Sequence, residues 1–186
     1  LDLLQHMHDG REGALKDLPD WIAKFDDVIF ASHDDATQDQ REHFSNMGVN
    51  ISEFPETHAA AACAIERDEP VILGAPNIMR GSSHKGNVSA RDLVDRGLCT
   101  ALASDYHYPS LLIAALNLAS DIGLRDAWDL VSRNPASILG LADRGIISAG
   151  KRADFIVLNP DMKLEATFSN GRPAHVSGVF AARLIS

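Results

Sequence analysis

The most informative part of the sequence is VILGAPNIMRGSSHKGN, residues 71–87. Its first three residues, Val71–Leu73, form an apolar run typical of a buried strand. The remainder is polar, and its glycines and proline restrict the backbone more than an ordinary connection needs. This polar part carries Arg80, His84 and Lys85 together with amide and hydroxyl side chains. We therefore predict a strand that ends in a loop suited to bind an anion.

Three further apolar runs also end in polar or charged residues. They are residues 28–31 before Ser32-His33-Asp34-Asp35, residues 49–52 before Glu53-Phe54-Pro55, and residues 99–103 before Ser104-Asp105-Tyr106. The segments between the runs look helical, with start signals at Thr37 and Ser89 and glycine stops at Gly48 and Gly97. Apolar strands that alternate with helices predict an α/β fold with a parallel sheet. In a barrel of this kind, functional residues lie at the carboxyl ends of the strands.

The length of the chain limits how much of a barrel it can form. Its 186 residues, 45% of them hydrophobic, can bury a core, but a complete eightfold barrel typically needs about 250 residues. Four strand–helix units between residues 28 and 119 predict half a barrel. The chain also begins at Leu1 without a methionine, so we expect it to be a fragment.

The carboxyl-terminal part differs in character, and we place the boundary between residues 1–143 and residues 144–186. It contains a turn-rich passage followed by the short apolar run Phe155–Leu158. Beyond that run, residues 164–168 and 176–182 read as a hairpin around Asn170-Gly171, a strong two-residue turn signal.

Net charge, cysteine spacing and the length of the apolar runs limit the partners and the compartment that we expect for this protein. Seventeen basic and 26 acidic side chains give a net charge of −9, which argues against a nucleic-acid surface. Cys63 and Cys99 have no disulfide or metal spacing and read as small core residues. No apolar run approaches the roughly 18 residues of a membrane span, and no signal peptide is recognisable. We expect a cytoplasmic protein that does not bind membranes.

Several of these motifs carry a family resemblance. The sequence resembles the phosphonate-metabolism branch of the metal-dependent amidohydrolase superfamily. The resemblance rests on residues 32–37, 53–57, 74–90 and 104–106, and on Ala153-Asp154 before an apolar strand. The resemblance runs from about Val28 to the end of the chain. It implies the carboxyl-terminal half of a TIM-type (β/α)8 barrel, strands five to eight, plus part of a small β-sandwich. It also implies a hydrolase that releases pyrophosphate from a triphosphorylated ribose phosphonate.

The resemblance also implies a divalent metal site. His33 and Asp105 take the positions of metal ligands, and Asp105 is in addition the proton acceptor. At the third position many superfamily members have a histidine, whereas this chain has Glu53, which is expected to bind metal, bridge, or orient a neighbour. Zinc or manganese suits such ligands, and a divalent ion can lower the pKa of bound water to about 7. One of Asp34 and Asp35 is expected to fix the tautomer of His33.

The substrate implied by the resemblance is a small phosphorylated molecule. Arg80, His84 and Lys85 would hold phosphate oxygens, because the planar arginine fork meets phosphate in two parallel hydrogen bonds. The remaining substrate-binding candidates are Asn77, Ser82, Asn87 and Tyr106.

Other superfamily ligands belong to a half of the barrel that this chain lacks. His33, Asp105 and Glu53 supply two or three ligands, short of the four of a typical zinc site. We therefore expect the fragment to be inactive alone, and its apolar edge strands to form a homo-oligomer or to pair with the missing amino-terminal half. Two alternatives remain: an amidohydrolase acting on a C–N bond, such as a deaminase, and a non-catalytic truncated paralogue that only binds anions.

Overall fold

A computed structural model describes residues 10, 13–14, 16–80 and 88–185 of the chain. A parallel sheet of four strands, in the order β1-β2-β3-β4, forms its centre. The strands are β1 (Ala31–His33), β2 (Ile51–Glu53), β3 (Val71–Gly74) and β4 (Ala101–Ala103). The predicted α/β class with a parallel sheet is therefore confirmed.

Helices follow the strands as the alternating pattern predicts. They are α1 (residues 16–22), α2 (Gln38–Asn46), α3 (His58–Glu66), α4 (Ala75–Arg80), α5 (Ala90–Asp95), α6 (Ser110–Ile122), α7 (Leu124–Asp129), α8 (Arg133–Ile138) and α9 (Gly178–Ile185). The signals at the start of α2 act as predicted, because the Gln40 N–H donates to Thr37 Oγ1 over 3.1 Å. Gly48 and Gly97 end α2 and α5 with φ of 86° and 71°. Ser89 precedes α5 without a side-chain capping bond.

The hydrophobic core lies between the sheet and helices α3 to α7. Leu73 and Leu102, which are register partners on β3 and β4, are both buried in it. Its other buried members are Ala61, Ala64, Val71, Ala75, Ile78, Ala90, Leu93, Val94, Ala114, Leu118, Ala127 and Leu130. Because neighbouring residues of a strand point to opposite faces, the residues between these core positions face away from the helices.

Three strands begin later than the apolar runs predicted. β2 begins at Ile51, although its run begins at Val49. Residues 28–30 precede β1, and Val28 and Ile29 are about half exposed. In the same way, Cys99 and Thr100 precede β4. The runs include the approach to each strand as well as the strand, and hydrophobicity does not mark where ladder pairing begins.

The polar segment after β3 is partly helical, which corrects its interpretation as a loop throughout. Residues Ala75–Arg80 form α4 directly after Gly74. Pro76 is compatible with this helix because the first helical turn has no internal partners for its N–H groups. The remainder, residues 81–87, lies outside the described residues.

The carboxyl-terminal sheet has the order β5-β6-β7, with β5 (Phe155–Leu158), β6 (Leu164–Ser169) and β7 (Arg172–Val176). The Asn170-Gly171 turn is confirmed, with φ of 51° and 72° as a type I′ hairpin turn requires. The prediction of a second strand at residues 176–182 is wrong, because β7 ends at Val176 and α9 begins at Gly178. A short apolar run does not distinguish a strand from a helix.

Both cysteines are free thiols. Cys63 is buried on α3, and Cys99 packs partly buried against the core. Burial raises the pKa of the Cys99 thiol to about 12, so it stays protonated near neutral pH. Within the described ranges, no helix has the length and hydrophobicity needed to cross a membrane.

Candidate active site

The carboxyl ends of β1 and β2 bring two predicted metal ligands side by side. His33 is the last residue of β1, Glu53 is the last residue of β2, and the two are register partners in the parallel ladder. Their neighbours Ser32 and Ser52 are also register partners and are buried on the helix side. By alternation, His33 and Glu53 lie on the opposite face of the sheet.

The His33 ring is held by two neighbours while most of its surface stays open. Its Nδ1 lies 3.1 Å from Asp34 Oδ2, and both side chains are more than half exposed. The Phe54 ring meets it edge-on, with ring centres 5.1 Å apart. A proton on Nδ1 that is donated to Asp34 leaves Nε2 able to bind a metal ion. Of the two aspartates considered for this role, the geometry selects Asp34.

Three residues just beyond the strand ends have left-handed backbones. Their φ angles are 60° at Asp34, 54° at Phe54 and 50° at Asp105. Aspartate adopts this conformation several times more often than most residues, whereas a bulky phenylalanine rarely does. Strain of this kind persists only where the surroundings impose it, and it clusters at functional sites. The outlier at Phe54 therefore marks this edge of the sheet as the candidate site, and sequence reasoning gave Phe54 no role.

A cavity of about 260 Å³ opens at this edge. Asp34 and Phe54 line it from the β1 and β2 side, Asn77 and Arg80 from α4, and Asp105 from beyond β4. The cavity thus joins three of the predicted site residues: Asn77, Arg80 and Asp105. His33 and Glu53 do not line it.

Two side chains of α4 present hydrogen-bonding groups at the cavity. Asn77 Oδ1 is buried and has no hydrogen-bond partner in the described part of the chain. Arg80 Nε donates to the Pro76 carbonyl over 3.3 Å, one turn earlier in the helix. That bond orients the guanidinium at the carboxyl end of α4.

The remaining candidates are less well placed or lie outside the described residues. Tyr106 follows Asp105, is 68% exposed and does not line the cavity. The predicted substrate ligands Ser82, His84, Lys85 and Asn87 fall within residues 81–87, outside the described residues.

The candidate metal ligands His33, Glu53 and Asp105 have suitable chemistry but do not form a complete site in the described part of the chain. An imidazole and two carboxylates are ligands that zinc and similar ions accept. Across the described residues, however, no three His, Cys, Asp or Glu side chains lie close enough together to hold an ion. His33 and Glu53 are adjacent, whereas Asp105 lies at the far strand of the sheet. The described region therefore offers part of a metal site.

A buried cluster beneath the two strand ends was not anticipated from the sequence. Asp35 Oδ2 accepts hydrogen bonds from Ser32 Oγ over 2.6 Å, from Ser52 Oγ over 2.8 Å and from Arg41 over 3.1 Å. Asp35, Arg41 and Ser52 are completely buried. The alternation of side chains along a strand could have indicated this cluster, because a serine precedes the last residue of both β1 and β2.

Arg41 connects this cluster to the rest of the β1–β2 region. From α2 its guanidinium donates to the carbonyls of Val49 and Ile51, and its Nε lies 3.2 Å from Glu69 Oε2. Glu69 accepts in turn from Ser45 Oγ. Nothing in the helical pattern of α2 shows that an arginine faces inward.

The chain is similar to several known proteins. The family model described as "Amidohydrolase family" matches residues 14–170. Alpha-D-ribose 1-methylphosphonate 5-triphosphate diphosphatase of Escherichia coli K12 is 46% identical over 134 residues, which are 70% of this chain and 35% of that protein. Adenine deaminase of Lactobacillus delbrueckii subsp. bulgaricus is 42% identical over 82 residues, 39% of this chain and 14% of that protein.

A solved structure supports the fold. N-acetylglucosamine-6-phosphate deacetylase from Thermotoga maritima superposes with a TM-score of 0.61 at 17% identity, over 90% of this chain and 57% of that one. The chain thus spans about a third of the E. coli relative and little more than half of this structure. The four-stranded sheet corresponds to a portion of a TIM-type barrel, as predicted.

Proposed function

The chain belongs to the amidohydrolase family, and from this premise we propose that it carries part of the active site of a phosphonate-pathway diphosphatase. The reaction is hydrolysis of the anhydride bond between the α- and β-phosphates of a triphosphorylated ribose phosphonate. Water adds to phosphorus, and the products are pyrophosphate and a 5-phosphate. The observation that carries the proposal is the 46% identity to the E. coli diphosphatase.

The residues at the cavity have the chemistry that this reaction needs. Asp105 is an exposed carboxylate on the cavity wall, and it accepts the proton of the attacking water at an Oδ atom. The Arg80 guanidinium and the Asn77 amide bind phosphate oxygens, so that the substrate's negative charge is met by hydrogen-bond donors.

We assign a divalent ion, zinc or manganese, to His33 and Asp105, with Glu53 as a further ligand or an orienting group. Such an ion supplies Lewis acidity at the reacting phosphate. The described residues provide an incomplete ligand set, so the proposal requires further ligands from elsewhere in the complete protein. Hydrolysis is accordingly a property of the protein expressed from its complete reading frame.

The substrate assignment is tested by following products directly. We expect ³¹P NMR of the protein incubated with the triphosphorylated ribose phosphonate and Zn²⁺ or Mn²⁺ to show pyrophosphate appearing in step with the 5-phosphate. Omission of the metal and addition of a chelator are the controls. Release of orthophosphate in place of pyrophosphate, or no product with either metal, would contradict the assignment.

Removing the positive charge of Arg80 is expected to weaken substrate binding. Hydrogen bonds to charged groups contribute about 1.5–3 kcal/mol each, so Arg80→Ala should raise the Kd for pyrophosphate or triphosphate about 10- to 100-fold. Titration calorimetry measures this directly.

The matched control is Arg96→Ala, which removes the same charge from an exposed arginine paired with Asp92 on α5, away from the cavity. Its affinity for pyrophosphate should equal that of the unaltered protein. Equal affinities of the Arg80 and Arg96 variants would show that Arg80 does not contact phosphate.

A second candidate function is hydrolysis of a C–N bond, as in a deaminase. It is favoured by the 42% identity of 82 residues to adenine deaminase. Ammonia release from adenine, measured beside pyrophosphate release in the same preparation, separates the two. Binding of pyrophosphate without turnover of either substrate would favour the non-catalytic alternative.

A further inference from the structure

The buried cluster on the helix side of β1 and β2 lies directly behind the two adjacent candidate metal ligands. Ser32 and Ser52 each immediately precede a ligand, His33 and Glu53, and both hydroxyls bond to the same oxygen, Asp35 Oδ2, over 2.6 and 2.8 Å. One carboxylate oxygen therefore ties the two strand ends together. The same strand alternation that buries the serines turns the ligands to the opposite face.

Backbone bonds join the same two loops beyond the strand ends. The Asp34 N–H donates to the Glu53 carbonyl over 3.0 Å, and the Glu56 N–H donates to the Asp35 carbonyl over 2.9 Å. Thr57 Oγ1 adds a bond to the Ala36 carbonyl over 3.1 Å. The spacing between His33 and Glu53 is thus fixed by backbone bonds beyond the strand ends and by the Asp35 carboxylate behind them.

The composition of the cluster is unfavourable if its role is stability alone. Asp35 and Arg41 are completely buried, and removing two charges from water often costs more than their attraction returns, so apolar residues of similar size would serve a core as well or better. Asp35 Oδ1 is moreover buried without a hydrogen-bond partner in the described region. What apolar residues would not reproduce is a directional link between two strand ends.

We propose that Asp35, fixed by Arg41 and linked to Ser32 and Ser52, is a positioning residue that sets the spacing of His33 and Glu53 for a divalent ion. The inference rests on the proposed function, because it assumes that these two residues act at a metal site. Asp35 acts through the strand ends and touches neither the ion nor the substrate. Partners of this kind typically contribute 10- to 100-fold in metal affinity.

The test compares three proteins expressed from the complete reading frame: the unaltered protein, Ser32→Ala/Ser52→Ala, and Ser45→Ala. The double variant removes both hydroxyl links and keeps the Asp35–Arg41 pair. The control removes a hydroxyl that bonds to Glu69 at the other end of the cluster. Each apoprotein is titrated with Co²⁺ against a competing chelator, the visible ligand-field spectrum is recorded, and the melting temperature is measured without metal.

We expect the double variant to bind Co²⁺ about 10- to 100-fold more weakly and with an altered ligand-field spectrum, whereas Ser45→Ala binds as the unaltered protein does. A double variant that melts at lower temperature but keeps the affinity and the spectrum would overturn the inference, since the cluster would then be structural only. If the double variant does not fold, Ser52→Ala alone decides by the same criteria, with an expected loss of about tenfold. Failure of the unaltered protein to bind Co²⁺ would instead overturn the proposed metal-dependent function, and this inference with it.

Discussion

The Asp105→Asn variant is expected to lose activity by about 10²- to 10⁴-fold in kcat, the usual contribution of a positioned general base. The amide has nearly the shape of the carboxylate but does not accept a proton from water. Asparagine also adopts the left-handed backbone that Asp105 has at φ 50°. The loss should therefore reflect the missing carboxylate, which we assign as both the base and a metal ligand, and not a displaced loop. Initial rates of pyrophosphate release at saturating substrate measure it.

Asp68→Asn is the matched control, because Asp68 is an exposed aspartate with φ of 59° just beyond α3 and does not line the cavity. It makes the same chemical change in the same backbone conformation. Its kcat should match that of the unaltered protein. If Asp105→Asn retained a kcat within about threefold of that value, a role as general base would be excluded.

His33→Ala is expected to remove most of the bound metal. Partners that only orient a ligand contribute 10- to 100-fold in affinity, so loss of the ligand itself should cost more than about 100-fold. Elemental analysis of the complete protein after dialysis against metal-free buffer gives the occupancy. The control is an exposed histidine on a helix: His43→Ala on α2 should retain full occupancy. Full zinc or manganese content in a folded His33→Ala/Asp105→Ala protein would refute the metal assignment.

Much of the fold could be predicted because its signals are local. Apolar runs that end in polar residues gave the four parallel strands, and Asn170-Gly171 gave the hairpin turn through its left-handed backbone. The errors also have local causes. Residues 176–182 are too short an apolar run to separate strand from helix, and Ala75–Arg80 carries Pro76 and Asn77, which suggest a loop although the first turn of a helix accepts them.

The sequence predicts those parts of the candidate site that consist of polar residues at strand ends. It predicts less well the residues whose position depends on tertiary packing. The adjacency of His33 and Glu53 follows from parallel pairing, whereas the selection of Asp34 over Asp35 as the neighbour of the imidazole depends on a backbone angle at one residue. The inward position of Arg41 required tertiary contacts with β1 and β2 that no helical periodicity contains.

The exposure of the candidate ligands at the strand ends has an evolutionary consequence. The packed cluster reaches the cavity wall through Leu73, Ala90 and Leu93, whereas His33 and Asp105 are exposed at the strand ends and are not part of it. Residues at the strand ends can therefore be exchanged at little cost in folding stability. Gene duplication followed by a few such exchanges would produce new specificities on an inherited scaffold, and relatives named for a diphosphatase and a deaminase fit that history.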